Sequence, residues 1–245
     1  MAPLKMVVVP CYNEAERLEL PAFDALLAAG IGLIFVDDGS TDTTQAMLAD
    51  YAAERPGAEL LVQPDNQGKG EAVRVGMRAG LERGAVVVGY FDADQATPID
   101  EMIRLMALTD TVTAQVVLAS RVRLLGRNIE RRAIRHYTGR VFATAASLLL
   151  QLPVYDTQCG AKCFKRTPAL QAALSTPFTS RWAFDVELLL RLTTTGGLRE
   201  TDLIEVPLRS WCDVGGSKLT TRAMARAAMD ILRMSRDRLQ QPAAT

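Results

Sequence analysis

The 245-residue sequence contains few metal-binding side chains, no excess of one charge and no long hydrophobic run. One histidine and four cysteines without paired spacing exclude a conventional zinc site. Lysine plus arginine equals aspartate plus glutamate at 28 each, so the chain lacks the net basic charge typical of nucleic-acid binding, and we expect no nucleic-acid partner. No stretch reaches the roughly 18 apolar residues of a membrane-spanning helix. The first apolar run ends at Pro10, which predicts no secretory signal.

Apolar residues make up 49% of the chain and are arranged as alternating strand and helix patterns. The predicted strands lie near residues 5–9, 32–36, 59–63, 86–91, 115–119 and 203–208. The predicted helices lie near residues 14–29, 43–54, 69–83, 99–108, 128–152, 167–174, 183–194 and 219–239. This alternation predicts an α/β fold with a mostly parallel sheet flanked by helices. With free thiols as the simplest interpretation of the cysteines, we expect a reducing, cytoplasmic location.

The most informative stretch is VVVGYFDAD, an apolar run that ends in Asp92 and Asp94. The run is typical of a buried strand in a parallel sheet, and open α/β sheets bind ligands at the carboxyl ends of such strands. Two carboxylates this close repel each other unless a cation neutralises them. Oxygen ligands of this kind suit Mg²⁺ or Mn²⁺, which in turn bind nucleotide phosphates. The alternative for the pair alone is a solvated loop.

Two further predicted strands end in polar clusters, and a glycine-flanked lysine precedes a helix. Tyr12, beyond the first strand, could stack on a flat base, or it could be a structural residue at a helix start. Asp38, beyond the second strand, could accept a hydrogen bond from a base edge such as the uracil N3–H. Lys69 stands between two glycines, which allow close backbone approach to an anion at a helix start. An exposed turn is the alternative for Lys69.

These motifs occur together and in a particular order. PCYNEAERL, FVDDGSTDTT, NQGKGEAVRVGM and FDAD resemble the inverting, metal-dependent nucleotide-sugar glycosyltransferases of family 2, which have a GT-A fold. In the second half of the chain, DTQCGAKCFK, RWAFDVEL and GGSK are similar to the polyprenyl-phosphate (dolichyl-type) glucosyltransferase branch. The pattern D-A-D-x-A-T also favours the glucosyl over the mannosyl branch. The resemblance therefore implies a specific reaction as well as a fold.

The resemblance implies one GT-A (Rossmann-like) domain over residues 1–245, with a nucleotide-sugar half of about 1–120 and an acceptor half of about 121–240. It implies transfer of glucose from UDP-glucose to a polyprenyl phosphate, with inversion and with Mg²⁺ or Mn²⁺ on Asp92 and Asp94. Asp94 is also expected to be catalytic. The nucleotide-sugar side is expected to include Pro10, Tyr12, Glu14, Asp37, Asp38, Lys69 and Asp92.

The acceptor side is expected in the arginine-rich segment that begins at residue 121. Arg121 and Arg131 are the leading ligands for the acceptor phosphate, since a guanidinium offers forked donors, and Lys218 could close over the same phosphate. Apolar residues between 134 and 152 recur at helical spacing. A core-packed helix with a solvated basic face is one interpretation. An amphipathic helix on the cytoplasmic face of a membrane is the other, and the resemblance favours it.

Asp185 could serve as a general base or as an organiser of the site. A phosphate acceptor is already anionic near neutral pH, so the chemistry does not demand a strong base. Three alternative functions remain: a polyprenyl-phosphate mannosyltransferase using GDP-mannose, a family 2 transferase to a glycan hydroxyl, and a non-catalytic nucleotide-sugar-binding module. The sequence does not indicate the oligomeric state.

Overall fold

A computed structural model describes residues 4–130, 133–213, 229, 230 and 233, with the side chains of residues 133–141 outside that description. The strands are β1 Lys5–Cys11, β2 Ile31–Asp37, β3 Ala58–Val62, β4 Val87–Phe91, β5 Val116–Ser120, β6 Asn128–Glu130, β7 Ala161–Lys165, β8 Leu203–Pro207 and β9 Ser210–Cys212. The α-helices are α1 Asp24–Ala28, α2 Thr44–Glu54, α3 Lys69–Glu82, α4 Ile99–Leu108, α5 Ala133–Leu150, α6 Pro168–Ala173 and α7 Phe184–Thr194.

A seven-stranded sheet in the order β3-β2-β1-β4-β7-β5-β8 forms the centre of the fold. Its neighbouring strands are parallel except for β7, which runs antiparallel to both β4 and β5. The predicted mostly parallel α/β sheet is therefore confirmed. Because β1, β2, β4 and β5 run in the same direction, their carboxyl ends meet at one edge of the sheet, where the amino end of β7 also lies.

Apolar residues fill both faces of this sheet. In β1, Met6 and Val8 pack into the core on one face, while Val7 and Val9 pack into the core on the other. This alternation follows from the two-residue period of a strand buried on both sides. Helix α3 approaches the sheet closely at Gly76, where an added β-carbon would lie 2.9 Å from Cγ2 of Val36. The close packing holds α3 against β1 and β2, and the helix begins at Lys69 beside the edge formed by the carboxyl ends of the strands, which we call the functional edge of the sheet.

Two predicted helices differ from the structure. The helix predicted over residues 14–29 is reduced to a 3-10 turn, Leu20–Phe23, followed by the short α1. Side-chain oxygens of Ser40, Thr44 and Asp42 accept the backbone N–H groups of residues 13–15, and Asn13 has a φ of +50°. These contacts hold the segment after β1 in a non-helical path.

The helix predicted over residues 128–152 begins only at Ala133, because residues 128–130 form β6 and pair in parallel with β9. Among its described side chains, Leu149 and Leu150 are buried, whereas Leu148, which belongs to the predicted apolar stripe, is 74% exposed. Ala145 of the same stripe packs against the core, so the carboxyl-terminal part of α5 uses the predicted stripe only in part. Membrane contact by this helix stays a prediction. Within the described residues, no helix is both long and apolar enough to cross a membrane.

Candidate active site

The paired carboxylates lie just beyond the end of β4, at the functional edge of the sheet. The backbone N–H of Asp92 donates to the carbonyl of Gly160 at 2.9 Å, and the N–H of Ala96 donates to Oδ1 of Asp94 at 3.1 Å. Burial and the neighbouring charge of Asp92 raise the pKa of the Asp94 carboxyl. The two acids therefore repel each other, and a bound cation would reduce that repulsion.

Lys69 connects the loop before α3 to this acidic pair. Its Nζ lies 2.6 Å from Oδ1 of Asp92, with 35% of the lysine side chain exposed. Burial lowers the pKa of Lys69, but the charges of Asp92, Asp185 and Asp94 act in the opposite direction and leave it above its ordinary value. The ammonium therefore stays charged and is exposed enough to meet an anion at the sheet edge.

The first two strands place the predicted nucleoside residues nearby. Pro10 is buried near the end of β1, and Tyr12 follows the strand with part of its side chain exposed. The carboxylate of Glu14 is buried and forms a two-contact ion pair with Arg17, one contact being Nη2 to Oε1 at 2.7 Å. Asp37 is fully buried and accepts the N–H of Ser40 at 3.2 Å. Among the described residues, Oδ1 of Asp37 has no hydrogen-bond partner.

Asp38 organises the loop that leads to Lys69. Its Oδ1 accepts from the N–H of Gln67 at 2.8 Å and from the side-chain amide of Gln63 at 3.2 Å, while Oδ2 accepts from the N–H of Gly68 at 2.8 Å. Burial raises the pKa of Asp38, and the loop amides oppose that shift. A hydrogen bond from a base edge to Asp38 would therefore come in addition to the three that its carboxylate already accepts from the loop.

Arg17 is a cation of this site that the sequence reasoning did not identify. Its hydrogen bond to Glu14 raises the pKa of its guanidinium, and the charges of Asp94 and Asp92 act in the same direction. Arg17 therefore lies within electrostatic reach of the acidic pair. The spacing of Glu14 and Arg17 resembles an ordinary helical ion pair, so the sequence gave no signal that Arg17 also interacts with Asp92 and Asp94.

Asp185 is buried behind the acidic pair, at the start of α7. The hydroxyl of Tyr90 donates to its Oδ1, and Nζ of Lys162 lies 3.4 Å from the same oxygen. Lys162 itself is 1% exposed and also donates to the carbonyl of Cys159 at 2.6 Å. Burial raises the pKa of Asp185, while Lys162, Lys69 and the Tyr90 hydroxyl oppose the shift. The carboxylate is held in a network of partners, as an organising residue would be.

Arg121 follows β5, on the other side of β7 from the acidic pair. Its guanidinium donates to both oxygens of Asp156, from Nε to Oδ2 at 2.7 Å and from Nη2 to Oδ1 at 2.8 Å. It also lies over the ring of Trp211, 5.4 Å from the centroid. Arg121 is therefore fixed in direction and keeps 21% of its side chain exposed. The predicted ligands Arg131 and Lys218 lie outside the described residues.

The acidic pair fits a divalent cation of the predicted kind. No cluster of three or more histidine, cysteine, aspartate or glutamate side chains that could enclose a metal occurs within the described part of the chain. Mg²⁺ is commonly held by only one or two carboxylates, with substrate phosphates and water completing its shell. Asp92 and Asp94, two carboxylates beyond the same strand, meet that requirement, and a nucleotide diphosphate could supply the remaining oxygens.

A mixed, mostly parallel sheet with this acidic pair at its edge defines the class of GT-A-fold nucleotide-sugar transferases. The glycosyl transferase family 2 profile matches residues 6–171, and the chain belongs to this family. It is 33% identical to a dolichyl-phosphate beta-glucosyltransferase of Trichomonas vaginalis over 93% of this chain and 69% of the relative. It is 34% identical to the Drosophila melanogaster dolichyl-phosphate beta-glucosyltransferase over 87% of this chain and 68% of the relative.

A solved structure supports the fold. A Pyrobaculum calidifontis mannosyltransferase in complex with GDP-Man and Mn²⁺ superposes with a TM-score of 0.63 at 18% identity, covering 100% of this chain and 66% of that one. The likeness confirms the predicted GT-A fold. The chain spans about two thirds of the length of these relatives.

Proposed function

We propose that the protein transfers glucose from UDP-glucose to a dolichyl-type polyprenyl phosphate, with inversion at the anomeric carbon. The single observation that carries the proposal is the joint position of Asp92 and Arg121, on either side of β7 at one edge of the sheet. Burial lowers the pKa of Arg121, but Asp156 chiefly, and Asp92 to a smaller extent, raise it above its ordinary value, so the acidic donor side and the basic acceptor side lie within electrostatic reach. The similarity to dolichyl-phosphate beta-glucosyltransferases supports the choice of substrates.

On the donor side, Tyr12 and Asp38 would bind the uridine, and the positive charges of Lys69 and Arg17 would face the diphosphate. A divalent cation on Asp92 and Asp94 would offset the charge that develops on the departing UDP. Asp38 also holds the loop before Lys69 in place, so nucleoside binding and lysine position depend on one carboxylate. This division assigns the donor to residues of about 1–120.

On the acceptor side, Arg121 would orient the lipid phosphate for attack on the anomeric carbon from the face opposite UDP. A phosphate monoester is anionic near neutral pH, so no side chain has to remove a proton. Asp185 already accepts from Tyr90 and pairs with Lys162, and we assign it an organising role. Arg131 and Lys218 remain proposed acceptor ligands in the acceptor half, residues of about 121–240.

The acceptor lipid requires access to a membrane, and the segment after β5 has a suitable surface. Leu125 is fully exposed and Leu124 is 47% exposed, with Arg123 and Arg127 in the same seven-residue loop, 121–127. Apolar tips flanked by arginines suit the boundary between acyl chains and anionic headgroups. We propose that this loop contacts the bilayer beside the acceptor site, on the cytoplasmic face, where the free cysteines would stay reduced.

A screen of UDP- and GDP-sugars against dolichyl and undecaprenyl phosphate, with Mg²⁺ or Mn²⁺, tests the proposal. We expect a metal-dependent lipid product from UDP-glucose, with chelation by EDTA abolishing it. Preference for GDP-mannose would instead support the mannosyltransferase alternative. Nucleotide-sugar binding without transfer to either lipid phosphate would support one of the other two alternatives, transfer to a glycan hydroxyl or a binding module.

A further inference from the structure

The segment 156–160 lies between the proposed donor and acceptor sides, and it contacts both. It leads into β7, which pairs with β4 through Phe91 and Ala161 on one side and with β5 on the other. Its beginning is anchored by Glu205 of β8, whose two carboxylate oxygens accept the N–H groups of Tyr155 at 2.8 Å and Asp156 at 2.7 Å. The segment is therefore held by the sheet at both ends.

On the donor side, Gly160 makes room for the Asp92 carboxylate. A β-carbon added at Gly160 would lie 2.6 Å from Oδ1 of Asp92 and closer still to Oδ2 and Cγ. The backbone around this contact is fixed, since the N–H of Asp92 donates to the Gly160 carbonyl at 2.9 Å. Neither backbone can retreat without breaking the pairing of β4 with β7, so any side chain at position 160 would have to displace the carboxylate.

On the acceptor side, Asp156 sets the direction of Arg121. Its Oδ2 accepts from both the backbone N–H of Arg121, at 3.0 Å, and Nε, at 2.7 Å, while Oδ1 accepts from Nη2 at 2.8 Å. Two contacts from the guanidinium and one from the backbone N–H to the same carboxylate, which belongs to a residue only 6% exposed, leave the guanidinium little rotational freedom. Asp156 thereby orients Arg121, the residue immediately after β5, from a position 35 residues further along the chain.

We propose that residues 156–160 form a positioning segment, in which Gly160 admits the Asp92 carboxylate and Asp156 orients the Arg121 guanidinium, so that one short segment sets the distance between donor and acceptor groups. The inference rests on the proposed function, because it takes Asp92 as a donor-side residue and Arg121 as an acceptor-side residue. Neither Gly160 nor Asp156 is assigned contact with substrate; both act through another side chain.

The donor half is tested by Gly160→Ala, with calorimetric titration of UDP in the presence of Mn²⁺ as the readout. We expect the affinity to fall by about 10- to 100-fold, the range for changes to groups that support a ligand residue. Gly32→Ala is the matched control, since it places the same β-carbon in β2 against the flexible end of Met6, at 3.2 Å. The control should bind UDP as the unmodified protein does. Unchanged affinity in Gly160→Ala overturns the donor half of the proposal.

A double-variant comparison separates this inference from the proposed function. If Gly160 acts through Asp92, adding Gly160→Ala to Asp92→Ala should weaken UDP–Mn²⁺ binding no further than Asp92→Ala alone. Should Asp92→Ala itself leave that affinity unchanged, the donor role of Asp92 fails, and with it both proposals. If Asp92→Ala weakens binding and the loss of affinity in the double variant is the product of the two single losses, Gly160 does not act through Asp92. Only the positioning inference is then overturned.

The acceptor half remains testable even if Gly160→Ala does not fold. Asp156→Asn keeps the size of the side chain but loses the charge that holds Arg121, and we expect the apparent KM for polyprenyl phosphate to rise about tenfold, with UDP–Mn²⁺ affinity unchanged. Asp24→Asn is the control, because it also removes a carboxylate that pairs with an arginine. Oδ1 of Asp24 lies 2.7 Å from Nε of Arg55, and this pair is remote from the proposed site. A normal lipid KM in Asp156→Asn, or an equal loss in Asp24→Asn, overturns this half.

Discussion

Nζ of Lys69 lies 2.6 Å from Oδ1 of Asp92, which joins the start of α3 to the end of β4. The ion pair holds a cation and a proposed metal-binding carboxylate at the same position of the sheet edge. Donor phosphates arriving there would meet positive charge from the lysine and from a metal on the acids. The lysine and a metal held by the acids would both stabilise the negative charge that develops on the departing diphosphate.

We expect Lys69→Met to weaken the donor side. Loss of a charged contact to phosphate is worth about 1.5–3 kcal/mol, or roughly 10- to 100-fold in UDP affinity. Calorimetry with UDP and Mn²⁺ measures the effect without any lipid. Arg78→Met is the control, since Arg78 lies on the exposed side of the same helix and pairs with Glu82. Equal losses in the two variants would contradict a specific role for Lys69.

We expect Asp94→Asn to reduce transfer by at least about 100-fold, because it removes a charge that would face the cation at the reacting diphosphate. Thermal denaturation should show a folded protein, since the amide oxygen can still accept the N–H of Ala96. Asp92→Asn should also reduce transfer. Near-normal transfer by Asp94→Asn across a range of metal concentrations would refute the assignment of Asp94.

Arg121→Lys tests the acceptor side. Lysine keeps the charge but loses the two-pronged contact with Asp156 and the planar donors for phosphate, so the apparent KM for the lipid should rise more than that for UDP-glucose. Steady-state kinetics with each substrate varied in turn measures the split. A rise confined to the donor KM would place Arg121 on the donor side instead.

Lys162→Met should destabilise the protein in a pH-dependent way. Removing one partner of a buried ion pair leaves Asp185 without its cation and costs about 3–5 kcal/mol near neutral pH. Burial raises the pKa of Asp185, and losing Lys162 removes a group that opposes this shift. A group with a raised pKa contributes its full stability below its unfolded pKa and loses it as the pH rises through its folded pKa.

The difference in melting temperature between Lys162→Met and the unmodified protein should therefore shrink as the pH falls below about 4, the ordinary pKa of an aspartate, because Asp185 is then protonated in both the folded and the unfolded chain. Adding Asp185→Asn to Lys162→Met should recover part of the loss, since the second change removes the unpaired charge. A pH-independent difference, with no recovery in the double variant, would show that lost packing rather than charge explains the effect.

Binding to liposomes tests the loop 121–127. We expect flotation with anionic vesicles, and we expect it to weaken with salt because each arginine contributes roughly 1 kcal/mol through a screened attraction. Changing both Leu124 and Leu125 to aspartate should abolish flotation. Val86→Asp is the control, because Val86 is also exposed but precedes β4, at the opposite edge of the sheet. If the variant with both leucines changed still floats with the vesicles, the membrane-binding surface lies elsewhere on the protein.

The sequence determined six of the nine strands that the described residues form, and most of the chemistry at their ends. Apolar runs such as the one before Asp92 have a local signal, and parallel strands necessarily bring their carboxyl ends to one edge. The acidic pair, Asp38 and Lys69 could therefore be placed together before any coordinates were known. The motif order also predicted the family and the fold, and both are confirmed.

Only the tertiary structure decided which side chains hold these groups in place. β7 was not predicted, and its insertion between β4 and β5 in the opposite direction is what brings Gly160 against Asp92 and Asp156 against Arg121. Contacts between residues far apart in sequence leave no periodicity, and a glycine that accommodates a carboxylate resembles any other glycine until its neighbour is known. The sequence alone thus determined the groups that can do the chemistry, whereas strand order and direction decided which residues position them.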